Sequence, residues 1–335
     1  MTGLRQVCRL GVAAMLPLAW VGQPAARVLD VGPGGAFAAP SDAAAVVRDG
    51  DTVTIAPGIY YDCALWRASG LTIVGTGPGV VITDRACLGK AAFVIQGDRV
   101  TIGALSFARV RVMDGNGAGI RAEGRDLVVT DSRFINNQIG ILAGGQGGSL
   151  RISGCDFDGN GVSWDGQATH AVVAGSLDLL RIEHSSFRGA RGGDHIASRA
   201  RRTELDDNRL ADEGGAMSGP LVSVVGGVLS FAHNTVDLSP GAAERPGAVL
   251  VSGDASAITV NGNTLHEPYG SVPLVRNWTG LTATEDANRV PRDAAAVSDR
   301  GAFYHRLRSR LAALRSHMHD VMVLVRHRAG QLMRA

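Results

Sequence analysis

One eight-residue unit recurs through the chain, clearest as Leu127-Val-Val-Thr-Asp-Ser-Arg-Phe134, Leu150-Arg-Ile-Ser-Gly-Cys-Asp-Phe157 and Leu180-Arg-Ile-Glu-His-Ser-Ser-Phe187. Looser versions begin at Val100, Thr203, Leu229, Ile258 and Thr282. The last apolar positions of these units form a column, Phe107, Phe134, Phe157, Phe187, Leu210, Val236, Leu265 and Val290. Intervals of 23 to 30 residues along the column are typical of a solenoid, in which each repeat is one turn.

Each unit opens with alternating residues such as Leu-x-Ile, which predict a short strand with one face inward. Two residues before the column stands a small polar residue, a cysteine or an asparagine. These positions are Ser132, Cys155, Ser185, Asn208, Asn234, Asn263 and Asn288. Stacked coils would bring the four asparagines together as a hydrogen-bonded ladder, since a buried amide needs partners.

A Gly/Asn/Asp-rich corner and a second short strand follow the column residue, as in Gly119–Ala122 and Gly140–Ala143. A leucine-rich repeat would keep a fixed leucine template and a nearly constant period. Here the corners vary and the template is Val/Ile/Phe with Asn. The pattern therefore favours an all-β chain folded as a right-handed parallel β-helix solenoid.

The N-terminal part of the pattern carries a family resemblance. An Ala-rich stretch that Ser41 or Asp42 would cap as a short helix precedes Gly50-Asp-Thr-Val-Thr-Ile-Ala-Pro-Gly-Ile-Tyr60, and Leu71-Thr-Ile-Val-Gly75 follows. This arrangement resembles the entry to the pectate-lyase-like right-handed β-helix superfamily, over about Phe37 to Val290. The resemblance implies the fold. It does not imply one activity, because that fold carries lyases, hydrolases, epimerases, esterases and inert fibres.

Five segments follow from these patterns. Residues 1–26 are interpreted as a secretory signal, because Arg5 and Arg9 precede an apolar run from Leu10 to Val21 that is too short to span a bilayer. The alternative is a buried N-terminal strand. Secretion or export to a bacterial periplasm follows from the first interpretation. The other segments are an N-terminal strand and capping helix (27–60), the β-helix (61–291), a linker (292–299) and a C-terminal amphipathic α-helix (300–335).

The C-terminal segment is strongly basic. Residues 300–335 hold eight arginines and one acid, a net charge of +7, and residues 1–26 carry +2. Because the whole chain is +2, residues 27–299 carry −7. The apolar residues of the tail follow helical spacing, at Leu307, Leu311, Leu314, Met318, Val321 and Val325. Three partners would cover this apolar face: the last coil of the solenoid, a second copy of the chain or a membrane surface. The start of the helix is expected to cap the last coil, and the part beyond about Leu314 to bind lipid or a second copy.

The cysteines fit an exported chain. Cys63 and Cys87 lie 24 residues apart, about one coil, and are expected to form a disulfide. Cys155 takes an inward ladder position and is expected to be a buried, inert thiol.

Candidate site residues lie on the second strand of each coil. With Gly119, Gly140, His170 and His195 set in one column, His170 and His195 face outward on adjacent coils. Arg199 then shares the face of His195, and Arg121, Glu123 and Asp194 supply further contacts to a ligand.

This outward set fits polysaccharide chemistry. Lyases and epimerases abstract a proton beside a carboxylate, using a base and a positive charge. His195, Arg199 and His170 are thus the candidate catalytic residues. The competing interpretation is a solvated strand face with two ordinary histidines.

The segment Asp194-His-Ile-Ala-Ser-Arg-Ala200 also resembles one in secreted bacterial β-helix proteins of unassigned activity. That pattern has Lys in place of Ala197 and acidic residues in place of Leu221 and Ser223. The differences favour a catalytically silent relative.

The sequence therefore points to polysaccharide binding, with lyase- or epimerase-type processing as the reaction class. The alternative is a non-catalytic scaffold or envelope-interaction protein tethered by its C-terminal helix. No cofactor or metal is expected, because no Cys/His cluster has zinc spacing. The acidic body argues against nucleic acid as a partner.

Deleting residues 300–335 tests the assignment of the tail. We expect the truncated solenoid to stay folded and to sediment less with anionic vesicles than the full chain does. The difference should shrink as salt is raised, because the contact is electrostatic. Unfolding of the truncated protein would instead make the helix an integral cap.

Overall fold

The computed structural model describes residues 25–145, 147–161, 169–212, 219–239, 245–267 and 272–291. The segments interpreted as signal peptide (to residue 24), linker and C-terminal helix lie outside the described residues. What is described is a parallel β-solenoid of about nine turns with very little helix, which confirms the expected β-helix.

Each coil contributes strands to three faces, here named A, B and C in chain order within a coil. Face A is built from β4 (Ala64–Trp66), β7 (Ala91–Ile95), β10 (Ala118–Ala122), β13 (Ile139–Ala143), β16 (Val172–Ala174), β19 (Ile196–Ser198), the first halves of β22 (Val222–Ala232) and β24 (Val249–Asn261), and β26 (Val275–Asn277). Successive strands pair in parallel, for example Ile120 with Ile141.

Face B follows face A within each coil. It contains β1 (Val28–Val31), β2 (Thr52–Ile55), β5 (Thr72–Gly75), β8 (Thr101–Gly103), β11 (Leu127–Thr130), β14 (Ser149–Ser153), β17 (Leu179–Glu183), β20 (Arg202–Asp206), the second halves of β22 and β24, and β27 (Thr284–Asp286). In β22 the pairing register shifts around Gly226 and Gly227, whose φ angles of 77° and 71° bend the strand from one face to the next.

Face C closes the coil. Its strands are β3 (Gly58–Tyr60), β6 (Val80–Thr83), β9 (Ser106–Ala108), β12 (Arg133–Ile135), β15 (Asp156–Asp158), β18 (Ser186–Arg188), β21 (Arg209–Ala211), β23 (Thr235–Asp237) and β25 (Thr264–His266). The parallel pairing already begins with β1 and β2. Helix α1 (Pro40–Val46) packs against β1 and β4, with Ala43 fully buried. Asp42 lies in its first turn and accepts a hydrogen bond from the Ala39 backbone N–H (3.1 Å).

The apolar column predicted from the repeat is the inner side of face C. The rings of Phe107, Phe134, Phe157 and Phe187 stack nearly parallel, with centroids 5.3, 4.7 and 4.5 Å apart, and all four are buried. Burial of each ring stabilises the fold by about 1.5–3 kcal/mol. The column opens only at its end, where Val290 is 47% exposed on the last described coil.

The asparagine ladder is also confirmed. Asn208 Nδ2 donates to Asn234 Oδ1 (3.0 Å), Asn234 to Asn263 (3.1 Å) and Asn263 to Asn288 (2.9 Å). A second ladder, which the repeat analysis missed, joins Asn137 to Asn160 (3.0 Å) at the corner between faces C and A. Both ladders satisfy buried amides with the backbone of the neighbouring coil.

The spacing between faces is constant at one corner and variable at the other. From β8 onward, the column residue of face C comes five positions after the last inward residue of face B, as Phe157 comes after Ile152. From that column residue to the inward residue of face A, the interval runs from seven residues, Phe134 to Ile141, to 15, Phe157 to Val172.

The cysteines behave as expected. Cys63 and Cys87 form a disulfide, and Cys87 packs with Leu65 on the outer side of face A. Cys155 is a buried free thiol, and burial raises its pKa to about 12. It is therefore protonated, and inert as a nucleophile, at physiological pH.

Asn234→Ala tests the ladder. The change removes the acceptor of the Asn208 amide and backbone N–H and the donor to Leu205 O. We expect the free energy of unfolding in urea to fall by about 3 kcal/mol, because buried partners are left unsatisfied. Asn261→Ala, at the half-buried end of β24, should change it by less than about 0.5 kcal/mol. Equal effects of the two substitutions would contradict a structural ladder.

Candidate functional site

The outer side of face A presents one continuous column of side chains, here named the outer strip. The strand pairing aligns Arg121 with Leu142, then Val173, Ala197, Ser223, Leu250 and Arg276. The same column continues past Arg121 to Val94 and Leu65, but Val94 is fully buried, so the accessible stretch runs from Arg121 to Arg276. This strip is small and aliphatic along its middle, with an arginine at each end. At the strand spacing of about 4.8 Å, its six intervals span about 29 Å.

A polar pair borders the middle of the strip. His170 and Asp194 precede the strands β16 and β19 on adjacent coils. The Asp194 backbone N–H donates to His170 Nδ1 (3.0 Å), and Asp194 Oδ2 lies 4.0 Å from the same nitrogen. Because Nδ1 is the acceptor, a neutral His170 carries its proton on Nε2. The His170 side chain is 25% exposed and that of Asp194 only 12%.

The Asp194 carboxyl is electrostatically unusual. Burial raises its pKa above the ordinary value, against the opposing effects of a hydrogen bond with the Ser223 side chain and of the nearby His170 and Arg245. Carboxyl groups perturbed in this way, on an accessible surface, are concentrated at functional sites.

A buried ion pair lies behind Asp194. Arg245 Nη2 lies 2.8 Å from Asp212 Oδ2, with both side chains at least 95% buried. Arg245 Nη1 also donates to the backbone carbonyl of Gly219, and Ser239 Oγ donates to Asp212 (2.9 Å). Arg245 and Asp212 lie in corners of variable length where no interval recurs, so the repeat pattern does not predict them.

The predicted placement of His195 is wrong. Its ring is buried, lies 5.9 Å from the Phe187 ring and bonds the Ala211 carbonyl through Nε2 (3.0 Å). Burial lowers the pKa of His195 to about 4. His195 is therefore a neutral part of the core at physiological pH, and it does not touch the outer strip.

His195 immediately precedes β19, and it and Ile196 are both buried, so the alternation of sides along a strand does not extend to His195. A separate error is a shift of one residue in the alignment of His170. Pairing of Ile141 with Val172 and of Val172 with Ile196 aligns His195 with Ala171, not with His170. Val172 and Val173 are both aliphatic, so hydrophobicity alone does not say which faces inward, and a one-residue slip reverses the faces. His170 and His195 therefore do not face each other across adjacent coils.

His195 occupies a column where the preceding coils have small residues. A Cβ atom added to Gly119 would lie 2.9 Å from the Phe134 ring, and one added to Gly140 would lie 3.0 Å from the Phe157 ring. Beside His195, the phenylalanine column has Leu210 in place of a phenylalanine ring. The imidazole ring of His195 fits in the core at this position.

The other candidate residues remain near face A. Arg121 lies in the outer strip, and its buried Nε atom has no hydrogen-bond partner. Glu123, two residues further on, accepts hydrogen bonds from Lys90 (2.5 Å) and Gln96 (3.0 Å). Arg199 is exposed at the end of β19, but it does not share a face with His195.

Chemically, the pair can exchange protons with a ligand. Asp194 holds a carboxyl whose proton is lost at higher pH than usual, so its carboxylate is a stronger base than a solvated one. His170 in the observed arrangement has a proton to donate on Nε2. Across the described ranges, no group of three or more His, Cys, Asp or Glu side chains could hold a metal ion. No helix among the described residues is long and apolar enough to span a bilayer.

Comparison with known proteins yields similarities to solved structures alone. No protein-family model matches the chain, and no curated protein matches its sequence. Pectate lyase Pel9A is 14% identical, with a TM-score of 0.46 over 83% of each chain. Pectin methylesterase from carrot is 12% identical (TM-score 0.46, covering 81% of this chain and 83% of that one). Alginate lyase from Paenibacillus sp. str. FPU-7 is 14% identical (TM-score 0.44, 79% and 96%). These likenesses concern the fold, which the strand pairing itself establishes.

The buried His195 predicts how stability depends on pH. The pKa of His195 in the folded protein, about 4, lies below the ordinary histidine value of 6.5, so the unfolded chain takes up the proton first. The contribution of neutral His195 to the free energy of unfolding is fully present above pH 6.5 and is lost as the pH falls toward 4. This loss amounts to about 3 kcal/mol, at about 1.4 kcal/mol per pKa unit.

Urea unfolding of the wild type and of His195→Leu between pH 4 and 7 measures this contribution. The free energy of unfolding of His195→Leu should lack this part of the dependence on pH. That of His233→Leu, a substitution at an exposed corner, should retain it. Identical slopes for the wild type and His195→Leu would show that His195 is not buried in its neutral form.

Proposed function

We propose that the outer strip of face A binds an extended polysaccharide and that Asp194 and His170 transfer protons at its centre. The observation that carries the proposal is the Asp194 carboxyl. It is largely buried on the outer side of the sheet, has a raised pKa, and lies beside a histidine with an exposed edge.

The shape of the strip supports an elongated, repeating ligand. Seven coils present one outward residue each at a regular spacing, so successive units of a polymer would meet successive coils. The aliphatic side chains of Leu142, Val173 and Leu250 offer contact to the apolar faces of sugar rings.

The acid–base pair supports lyase- or epimerase-type chemistry. Both reactions begin with removal of the proton on the carbon next to a sugar carboxylate. The Asp194 carboxylate would accept that proton, and the electron pair left on carbon would be held by the sugar carboxylate. In a lyase, this electron pair then forms a carbon–carbon double bond as the bond to the glycosidic oxygen breaks, and His170 Nε2 supplies the proton to that oxygen.

Charge limits the substrate. The body of the protein carries a net −7, so an acidic polymer would be attracted only locally. Arg121 and Arg276 at the ends of the strip, and Arg199 beside its centre, are the residues we assign to contact sugar carboxylates.

A non-catalytic scaffold remains the second candidate, because the centre of the strip is Ala197 and Ser223 and lacks charged side chains. A glycan-array screen combined with an ultraviolet assay for unsaturated products separates the two. Binding with turnover supports the enzyme, binding alone supports the scaffold, and a wild type that does neither contradicts both.

Asp194→Asn and His170→Gln test the acid–base pair. We expect each to lower turnover by at least about 100-fold, because proton transfer is lost while the shape is kept. Asp206→Asn and His233→Gln form the matched control: this exposed His/Asp pair (2.8 Å) lies at the corner between faces B and C. Turnover that survives in Asp194→Asn and His170→Gln would refute the assigned roles.

A further inference from the structure

The Arg245–Asp212 pair is more deeply buried than any other ion pair among the described residues. It connects two neighbouring corners between faces C and A: Asp212 and Gly219 lie between β21 and β22, and Arg245 lies between β23 and β24. Arg245 Nε is buried and has no hydrogen-bond partner. Such a pair is a poor source of stability, since removing two charges from water costs about as much as their attraction returns.

The position of the pair is informative. Arg245 holds the Gly219 carbonyl, and Gly219 lies against the Asp194 carboxyl, because a Cβ atom added to Gly219 would lie 3.3 Å from Asp194 Oδ1. Arg245 therefore acts on Asp194 on one side and, with Asp212, on His195 on the other. The groups that face Asp194 are thus His170 from the preceding coil, Ser223 from β22 and Arg245 from the corner before β24. Of these, Arg245 alone carries a charge at every physiological pH.

We infer that Arg245, clamped by Asp212 and the Gly219 carbonyl, is a positioning residue that fixes Asp194 and sets how readily it releases its proton. The inference rests on the proposed function only in treating Asp194 as the proton-transfer group. Arg245 is buried behind the strip and acts through Asp194, whereas Asp212 neutralises it and holds the guanidinium in place.

The physical effect has a defined sign. A neighbouring cation favours the ionised carboxylate, so Arg245 opposes the burial that raises the pKa of Asp194. With the cation present, the carboxylate forms at a lower pH. Without it, Asp194 would stay protonated over a wider range and would be unable to accept a proton there.

The test is an NMR titration of the full chain with ¹³C-labelled aspartate carboxyls, in which Asp194→Asn assigns the Asp194 resonance. We expect Arg245→Met to move the Asp194 midpoint upward by about one pH unit. Arg245→Lys keeps the charge and should leave the midpoint within about 0.3 unit of the wild type. Arg181→Met, which removes an exposed arginine paired with Glu204 on face B, should leave it unchanged.

Arg245→Met leaves Asp212 buried without its partner and can prevent folding. The double variant Arg245→Met/Asp212→Leu removes both charges and keeps the corner apolar, which is tolerated better than breaking one side of the pair. A smaller upward shift is expected in this variant, because the negative charge of Asp212 is lost together with the positive charge of Arg245. An unshifted Asp194 midpoint in either folded variant, or a full upward shift in Arg245→Lys, would overturn the inference.

The titration needs no ligand, so it separates this inference from the proposed function. If the protein binds no glycan but the Asp194 midpoint shifts, the role of Arg245 in setting the pKa of Asp194 is supported and the polysaccharide proposal is rejected. If turnover is found, the pH profile of Arg245→Met should move in the same direction as the titration.

Discussion

The inner groups of each coil must fit those directly above and below them, at the distance of one strand spacing. The phenylalanine rings satisfy this condition by stacking 4.5–5.3 Å apart, and the asparagine amides satisfy it by donating to the next amide. Both arrangements require the same residue type at the same place in successive coils. Strand pairing, burial and the position of every outward side chain depend on this alignment.

The same requirement explains what the sequence reveals. The phenylalanine column and the asparagine ladder recur at a fixed place in each unit, so comparing the units predicts both. The disulfide follows from a separation of one coil. The repeat pattern does not predict the ladder of Asn137 and Asn160, because this ladder has only these two members and lies in the corner whose length varies.

The site was predicted less well, for a related reason. Asp194 and His170 do lie together at face A, but the two adjacent valines at 172 and 173 fit either orientation of their strand. His195 was expected on the surface because a strand residue beside the inward Ile196 would face outward, but His195 precedes β19 and lies in the core. Arg245 and Asp212 come from corners that share no interval, and only the folded chain brings them together.

The unequal corners also affect how such a protein can change. The constant interval of five residues between faces B and C ties the ladder to the column, so an insertion there would break both. The corner between faces C and A already accommodates intervals of seven to 15 residues without disturbing the stack. New segments can be gained or lost there at little cost to folding. Because this corner borders the outer strip, selection or design can alter what the protein recognises while the scaffold beneath stays the same.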